Sequence, residues 1–218
     1  MPVLLRWIAL MAVAVLPPRS GSAQTALDRA GHDLGARTAP IEVIEFHDLG
    51  CSQCARFTAQ SFGALEREFI ATGKVRWKSV PFVLGSFRHS AFAAEAAECA
   101  AEQDKFFPMH DALLAQQGAW KASLSVPHDL FRRIARSVGV DTARFGACVR
   151  SERTRDRVRA HKALAQQFQI YGTPTFIVQR EKRILGAVPG DRFAEFLRAE
   201  VQEELVRAAR ARMARPPM

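Results

Sequence analysis

Apolar positions along the chain change period several times, and each change marks an expected element. Residues 41–46, rich in β-branched side chains and opened by Pro40, have the pattern of a buried strand. The segment 54–72 then places Phe62, Leu65 and Phe69 on one helical face and stops at Gly73. Residues 75–80, apolar at Val75, Trp77 and Val80 and ended by Pro81, predict a second strand, parallel to the first because a helix intervenes. The next eighty or so residues keep helical spacing. Phe92, Ala96 and Cys99 form one stripe; Phe106, Met109, His110 and Leu113 form another, with Pro108 tolerable only in its first turn; Leu130, Ile134 and Val138 form a third, ended by Gly139. Asp141 predicts the N-cap of a short fourth helix, and 151–168 a long charged fifth. After Gly172-Thr173-Pro174 the pattern returns to strands at 175–178 and, at hairpin distance, 183–187. Asp191 is the expected cap of a last helix with Phe193, Phe196, Leu197 and Val201 on one face. The order is strand, helix, strand, helical block, strand, strand, helix: an α/β unit with an all-helical insertion, expected to form one composite domain.

The first 23 residues change the compartment. Arg6, an apolar run over 7–16, the break at Pro17-Pro18 and the small residues Gly21-Ser22-Ala23 read as a cleavable secretory signal, with cleavage expected after Ala23. About ten apolar residues are too few to span a bilayer core of about 30 Å. The expected destination is the periplasm, where disulfides persist. Removing the signal takes away Arg6 and Arg19 and no acid, bringing the formal charge from +9 to +7. Much of that excess lies on helix faces such as 150–159 and in the basic segment 204–218, which is expected to fray. Aromatic residues are not interleaved with the basic ones, so a solvated surface is favoured over nucleic-acid binding.

The candidate chemistry sits in Glu45-Phe46-His47-Asp48-Leu49-Gly50-Cys51-Ser52-Gln53-Cys54, where a strand delivers two cysteines to the start of a helix. Free N–H groups and the positive dipole end at a helix N-terminus favour a thiolate at Cys51. A thiolate attacks disulfides, whereas a thiol does not. Cys51 is therefore the expected nucleophile and Cys54, across a two-residue gap, the resolving thiol. Half of a zinc site is the competing reading of Cys-x-x-Cys, but neither Cys99 nor Cys148 has a His or Cys nearby at ligand spacing. No metal site is expected.

Together these features resemble the DsbA-like branch of the thioredoxin superfamily: exported thiol oxidoreductases with a thioredoxin fold carrying an inserted all-helical domain. The resemblance covers about residues 35–203. It rests on Ala39-Pro40, on Glu45-Phe46 with Asp48 ahead of Cys51-Ser52-Gln53-Cys54, on Phe106 with His110, and on Gly172-Thr173-Pro174-Thr175. It departs between the cysteines, where Ser-Gln replaces the Pro followed by His or Tyr of many relatives, removing one donor to the Cys51 thiolate. The implied organisation is a signal at 1–23, the DsbA-like domain at 24–203 with its insertion at about 86–168, and the tail at 204–218. The resemblance implies that Pro174 is cis, leaving the backbone of Thr173 free to pair with an extended substrate strand, and that Glu45 is a buried acid moving a proton to or from Cys54. A turn proline and a solvent-facing glutamate are the plain alternatives. His47 and Asp48 either tune the site or lie exposed in a loop; His110 is expected to be a packed core histidine.

Four cysteines allow three pairings, and a local Cys51–Cys54 ring leaves Cys99 with Cys148 as a structural bridge between helices of the insertion; two free buried thiols are the alternative. The expected function is a thiol:disulfide oxidoreductase that forms disulfides in reduced or misoxidised exported polypeptides, with no cofactor beyond its own cysteines. The resemblance implies reoxidation by a quinone-linked membrane partner. A monomer is expected, because the stretch between Ala23 and Ile41 is too short for the dimerisation domain of the superfamily's isomerases. Two rivals stay open: a disulfide reductase or isomerase, and a non-enzymatic carrier holding Cu(I) on Cys51 and Cys54.

Overall fold

The computed structural model describes residues 20–213 except positions 182 and 191. The hydrophobic part of the expected signal, the cap expected at Asp191 and the last five residues lie outside the described ones. Five strands form one mixed sheet: β1 (His32–Leu34), β2 (Ile41–His47), β3 (Val75–Pro81), β4 (Thr175–Arg180) and β5 (Arg183–Pro189), in the order β1-β3-β2-β4-β5. β2 is central. It runs parallel to β3, with Ile41 opposite Val75 and Glu45 opposite Ser79, and antiparallel to β4, with Glu45 opposite Phe176. β4 and β5 form the antiparallel hairpin at one edge, and β1 pairs antiparallel with β3 at the other.

Alternation along β2 divides the molecule into two layers. Ile41 and Val43 pack with Phe57, Leu65 and Phe69 of α2 (52–70), and the same core takes in Phe193, Leu197 and Val201 near the chain's end. Ile44 and Phe46 face the other way, onto Leu27 of α1 (Ser20–Arg29). Trp77 anchors the first layer, with the rings of Phe57, Phe62, Phe176 and Phe193 at centroid distances between 5.1 and 6.2 Å. Burying an aromatic side chain contributes roughly 1.5–3 kcal/mol, so this cluster fixes α2 firmly against the sheet. α2 itself alternates α-helical turns with π-helical turns over Thr58–Phe62 and Glu66–Ile70.

Between β3 and β4 lie α3 (Ser90–Ala101), α4 (Phe106–Ala115), α5 (Gln117–Ala122), α6 (His128–Ser137), α7 (Thr142–Ser151) and α8 (Arg155–Gln167). Pro108 falls in the first turn of α4, and Asp141 caps α7 by accepting from Ala143 N at 2.8 Å and Arg144 N at 2.9 Å. Leu164 and Ala165 of α8 close the second layer against Ile44 and Phe46. The helices share a third core that includes Phe106, Leu113, Trp120, Phe131 and Ile134, and Leu49, Cys51 and Cys54 belong to it as well. The two cysteines thus sit on the seam between insertion and sheet.

The periodicity gave no sign of α1, β1 or α5. The expected tail also differs. α9 (Phe193–Met213) carries the helix through 204–213 instead of fraying there. Acidic residues explain it: Arg180 on β4 faces Glu200 at 3.0 Å, Glu203 at 3.5 Å and Glu204 at 3.1 Å, and Arg207 pairs with Glu204 at 2.9 Å.

Candidate active site

β2 ends at His47, and a tight turn carries the chain into α2. Asp48 makes that turn rigid. Its carboxylate accepts from Gly50 N at 2.7 Å and Leu84 N at 2.8 Å, and its carbonyl accepts from Cys51 N at 2.9 Å. Asp48 is buried, so the exposed-loop alternative does not hold. Gly50 is required by packing: a Cβ there would stand 2.3 Å from Cβ of Phe87. The helical insertion reaches back to the same turn. Gln117 Nε2 donates to Leu49 O at 2.7 Å and Cys51 O at 3.0 Å, and Lys121 Nζ donates to Gly50 O at 2.6 Å. Gln117 and Lys121 lie on α5, which carried no recognisable pattern, so sequence reading missed both.

Cys51 is the N-cap residue of α2, in extended conformation, and Cys54 is one turn inside it. Both are thiols in this structure. Cys51 is more enclosed than a nucleophile on an open surface, with 5% of its area exposed, while Cys54 has none. The two sulfurs titrate far apart. The Cys51 thiol is pulled down to about 5, chiefly because the Cys54 thiol donates to it; burial opposes this, and Thr173 and the backbone N–H groups of Cys54 and Gln53 assist. Burial pushes the Cys54 thiol far above the usual thiol range, and the adjacent Cys51 thiolate adds to the effect.

The Thr173–Pro174 peptide bond is cis, and the Thr173 carbonyl accepts from the Cys51 thiol at 3.3 Å. Beside this contact lies an open groove of about 700 Å³, walled by Gln53, Arg56, Phe57, Gln60 and Ser61 on α2 and by 172–175 opposite. The structure therefore brings Cys51, Cys54, Thr173 and Pro174 together at one end of the sheet. Cys99 and Cys148 stand apart, bonded to each other within the helical core and linking α3 to α7.

Glu45 points into the layer beneath the cysteines and is buried. Trp77 Nε1 donates to its Oε2 at 3.2 Å, while Oε1 has no hydrogen-bond partner. Burial raises this carboxyl to about 7; His110 and the Trp77 hydrogen bond pull against the rise, and Asp111 adds to it. His47 is also buried, and burial together with neighbouring His110, His161 and His32 drives its pKa well below the ordinary imidazole value. Among the described residues no group of three or more His, Cys, Asp or Glu side chains is arranged to hold a metal ion.

A thioredoxin family model matches residues 28–199. Among curated proteins, the chain is 34% identical over 149 residues to Na(+)/H(+) antiporter NhaA 3 of Salinispora tropica, covering 67% of this chain and 21% of that protein, so it spans about a fifth of that relative's length. It is 26% identical over 148 residues to the probable disulfide bond formation protein D of Bacillus anthracis, covering 66% of this chain and 68% of the relative. Among solved structures, BdbD from Bacillus subtilis superposes with a TM-score of 0.66 at 25% identity, covering 78% of this chain and 92% of that one. DsbA of Chlamydia trachomatis gives 0.70 at 20% identity, covering 83% and 94%, and bears on the fold alone. With the family matched across most of its length and the sheet, inserted helices and cysteine pair in place, the chain belongs to the thioredoxin family, as a DsbA-like member of that superfamily.

Proposed function

We propose that the protein is a thiol:disulfide oxidoreductase that works in the oxidising direction on exported polypeptides. The observation that carries this reading is the asymmetry of the cysteine pair: Cys51 ionises at about 5, while Cys54, one turn further into α2, is held protonated by burial. A pair whose first sulfur is a stabilised thiolate favours the reduced state and so gives its disulfide away readily. In the forward reaction a client thiolate attacks Cys51 Sγ of the oxidised protein, and Cys54 leaves, taking a proton by way of Glu45. The second client thiol then displaces Cys51. The backbone of Thr173 beside the cis proline is the docking edge for an extended client segment, and the groove next to it has room for the flanking side chains.

The direction implies an electron acceptor that restores the disulfide, in keeping with a quinone-linked membrane partner. Residues 1–23 read as a signal for export to the periplasm, and no helix among the described residues is long and apolar enough to cross a membrane. The protein acts as a monomer, and Cys99–Cys148 is a structural bridge. The test is equilibration of the Cys51–Cys54 pair with glutathione buffers. A potential less negative than about −180 mV supports an oxidase; one near the −270 mV of thioredoxin moves the reading to a reductase. Tight Cu(I) binding without disulfide exchange would move it to a metal carrier.

A further inference from the structure

Reduction of the Cys51–Cys54 disulfide takes two electrons from a client dithiol, whose sulfurs join as a disulfide, and releases two protons. One ends on Cys54; the other goes to solvent, because Cys51 stays ionised at neutral pH. Glu45 is buried, so a proton it hands to Cys54 must be replaced along a defined route. Buried polar atoms without a hydrogen-bond partner near this point include Oε1 of Glu45, both ring nitrogens of His47 and Nε2 of His110, together with Oγ of Ser79, which lies opposite Glu45 on β3. Unpaired buried polar atoms are uncommon, and each asks for a reason such as a catalytic role or water held between them. The two imidazoles meet edge to face at 4.6 Å. The atoms of Glu45, His47 and His110, on β2 and α4, form a polar seam that reaches the cysteines through Glu45, which acts on Cys54.

Only one member of the seam leads outward. His110 Nδ1 lies 2.8 Å from Oδ1 of Asp111, whose side chain is half exposed. With Nδ1–H donating to that carboxylate, Nε2 is the basic nitrogen and is buried on the inner side. His47 has no comparable outlet. The groups acting on Glu45 are His110 and Asp111 of α4, Trp77 of β3 and Cys54 of α2. His47 is in turn acted on by His110, His161 of α8 and His32 of β1. We propose that His110, backed by Asp111, is a positioning residue for proton transfer, carrying the proton between solvent and Glu45 through this seam. The proposal rests on the oxidoreductase reading and goes beyond it, since His110 touches neither sulfur nor client.

The test is single-turnover reduction of the oxidised full chain by dithiothreitol across pH 5.5–8.5, quenched by alkylation. Below pH 6 Glu45 already holds its proton, so His110→Gln reduces at the wild-type rate. Above pH 7, where Glu45 must first be protonated from outside, the same variant is slower by about 10-fold. Glu45→Gln is slow at every pH, and adding His110→Gln to it changes nothing further. Asp111→Asn, on an exposed side chain, gives a smaller loss confined to the same high-pH range and serves if His110→Gln does not fold. A loss independent of pH, no loss in either variant, or full additivity with Glu45→Gln overturns the relay. If wild type exchanges normally while the variants behave in one of these ways, only the relay falls; if no dithiol reduces the wild type, the oxidoreductase reading falls first.

Discussion

Cys51 and Cys54 stand three positions apart at the start of α2, whereas Cys99 and Cys148 are bonded across 49 positions of sequence, between α3 and α7. Both pairs lie in the same apolar core, yet their surroundings differ in kind. The first sulfur of the local pair meets a helix N-terminus, a neighbouring thiol and the loop of Thr173, which together favour its ionised form. The distant pair shares that core with alanine and aromatic side chains, Thr154 Oγ1 lying 3.9 Å from Cys99 Sγ, and its crosslink closes a loop of about fifty residues. In the chain-entropy picture such a loop restricts the unfolded chain by about 4 kcal/mol, while a ring spanning two residues restricts it far less. Burial alone does not decide what a cysteine does. Polar groups aimed at the sulfur decide exchange, and loop length decides stabilisation.

Substitution within the local pair is the sharpest way to break this contrast. Cys51→Ser is expected to abolish disulfide transfer to a reduced unfolded client, a loss of several orders of magnitude, and to trap no client. Cys54→Ser is expected to accumulate mixed disulfides through Cys51, because the resolving thiol is gone; non-reducing gels resolve the two outcomes. A Cys51→Ser protein that still transfers would reverse the assigned roles. The distant pair gives the next largest effect. Replacing Cys99 and Cys148 together by alanine is expected to lower unfolding free energy by about 2–4 kcal/mol in urea melts of the oxidised protein. The same substitution leaves the Cys51 titration where it was, and a large shift in that titration would show that the two pairs are coupled.

The contrast was only partly legible in the sequence. The Cys-x-x-Cys between strand and helix identifies the local pair without reference to any fold, and helical spacing places the stripes that become α3, α4 and α6. The cis bond at Pro174 and the burial of Glu45 were expected through resemblance, because neither spacing nor composition reports a peptide isomer or a depth. β1 is three residues long and exists because His32–Leu34 pairs with Trp77–Ser79, a contact with no local pattern. α5 is equally silent, yet its Gln117 and Lys121 hold the carbonyls of Leu49, Gly50 and Cys51 in the turn before α2. His110 lies on an apolar stripe and reads as core; its significance comes from Asp111 beside it and from the unpaired atoms across the seam. The end of α9 reads as a basic tail until Arg180, distant in sequence, gathers Glu200, Glu203 and Glu204.

The sign of the pH dependence follows from the two sulfurs. Cys51 is depressed from an unfolded value of about 8.5 to about 5, so in the reduced protein it contributes stability that is complete above pH 8.5 and is lost as pH falls to 5. Glu45, raised by burial to about 7, works in the opposite sense: its contribution is complete below the unfolded carboxylate value and is lost as pH rises through 7. Stability profiles therefore mix the two groups, and a probe of the sulfur itself separates them. The rate of alkylation of the fully reduced protein by a thiolate-selective reagent, followed from pH 3.5 to 9.5, reads Cys51 directly. The account predicts one fast-reacting equivalent whose rate rises with a midpoint near 5, with Cys54 unreactive over the whole range. A midpoint near the free-thiol value of about 8.5, or two thiols reacting alike, would contradict it.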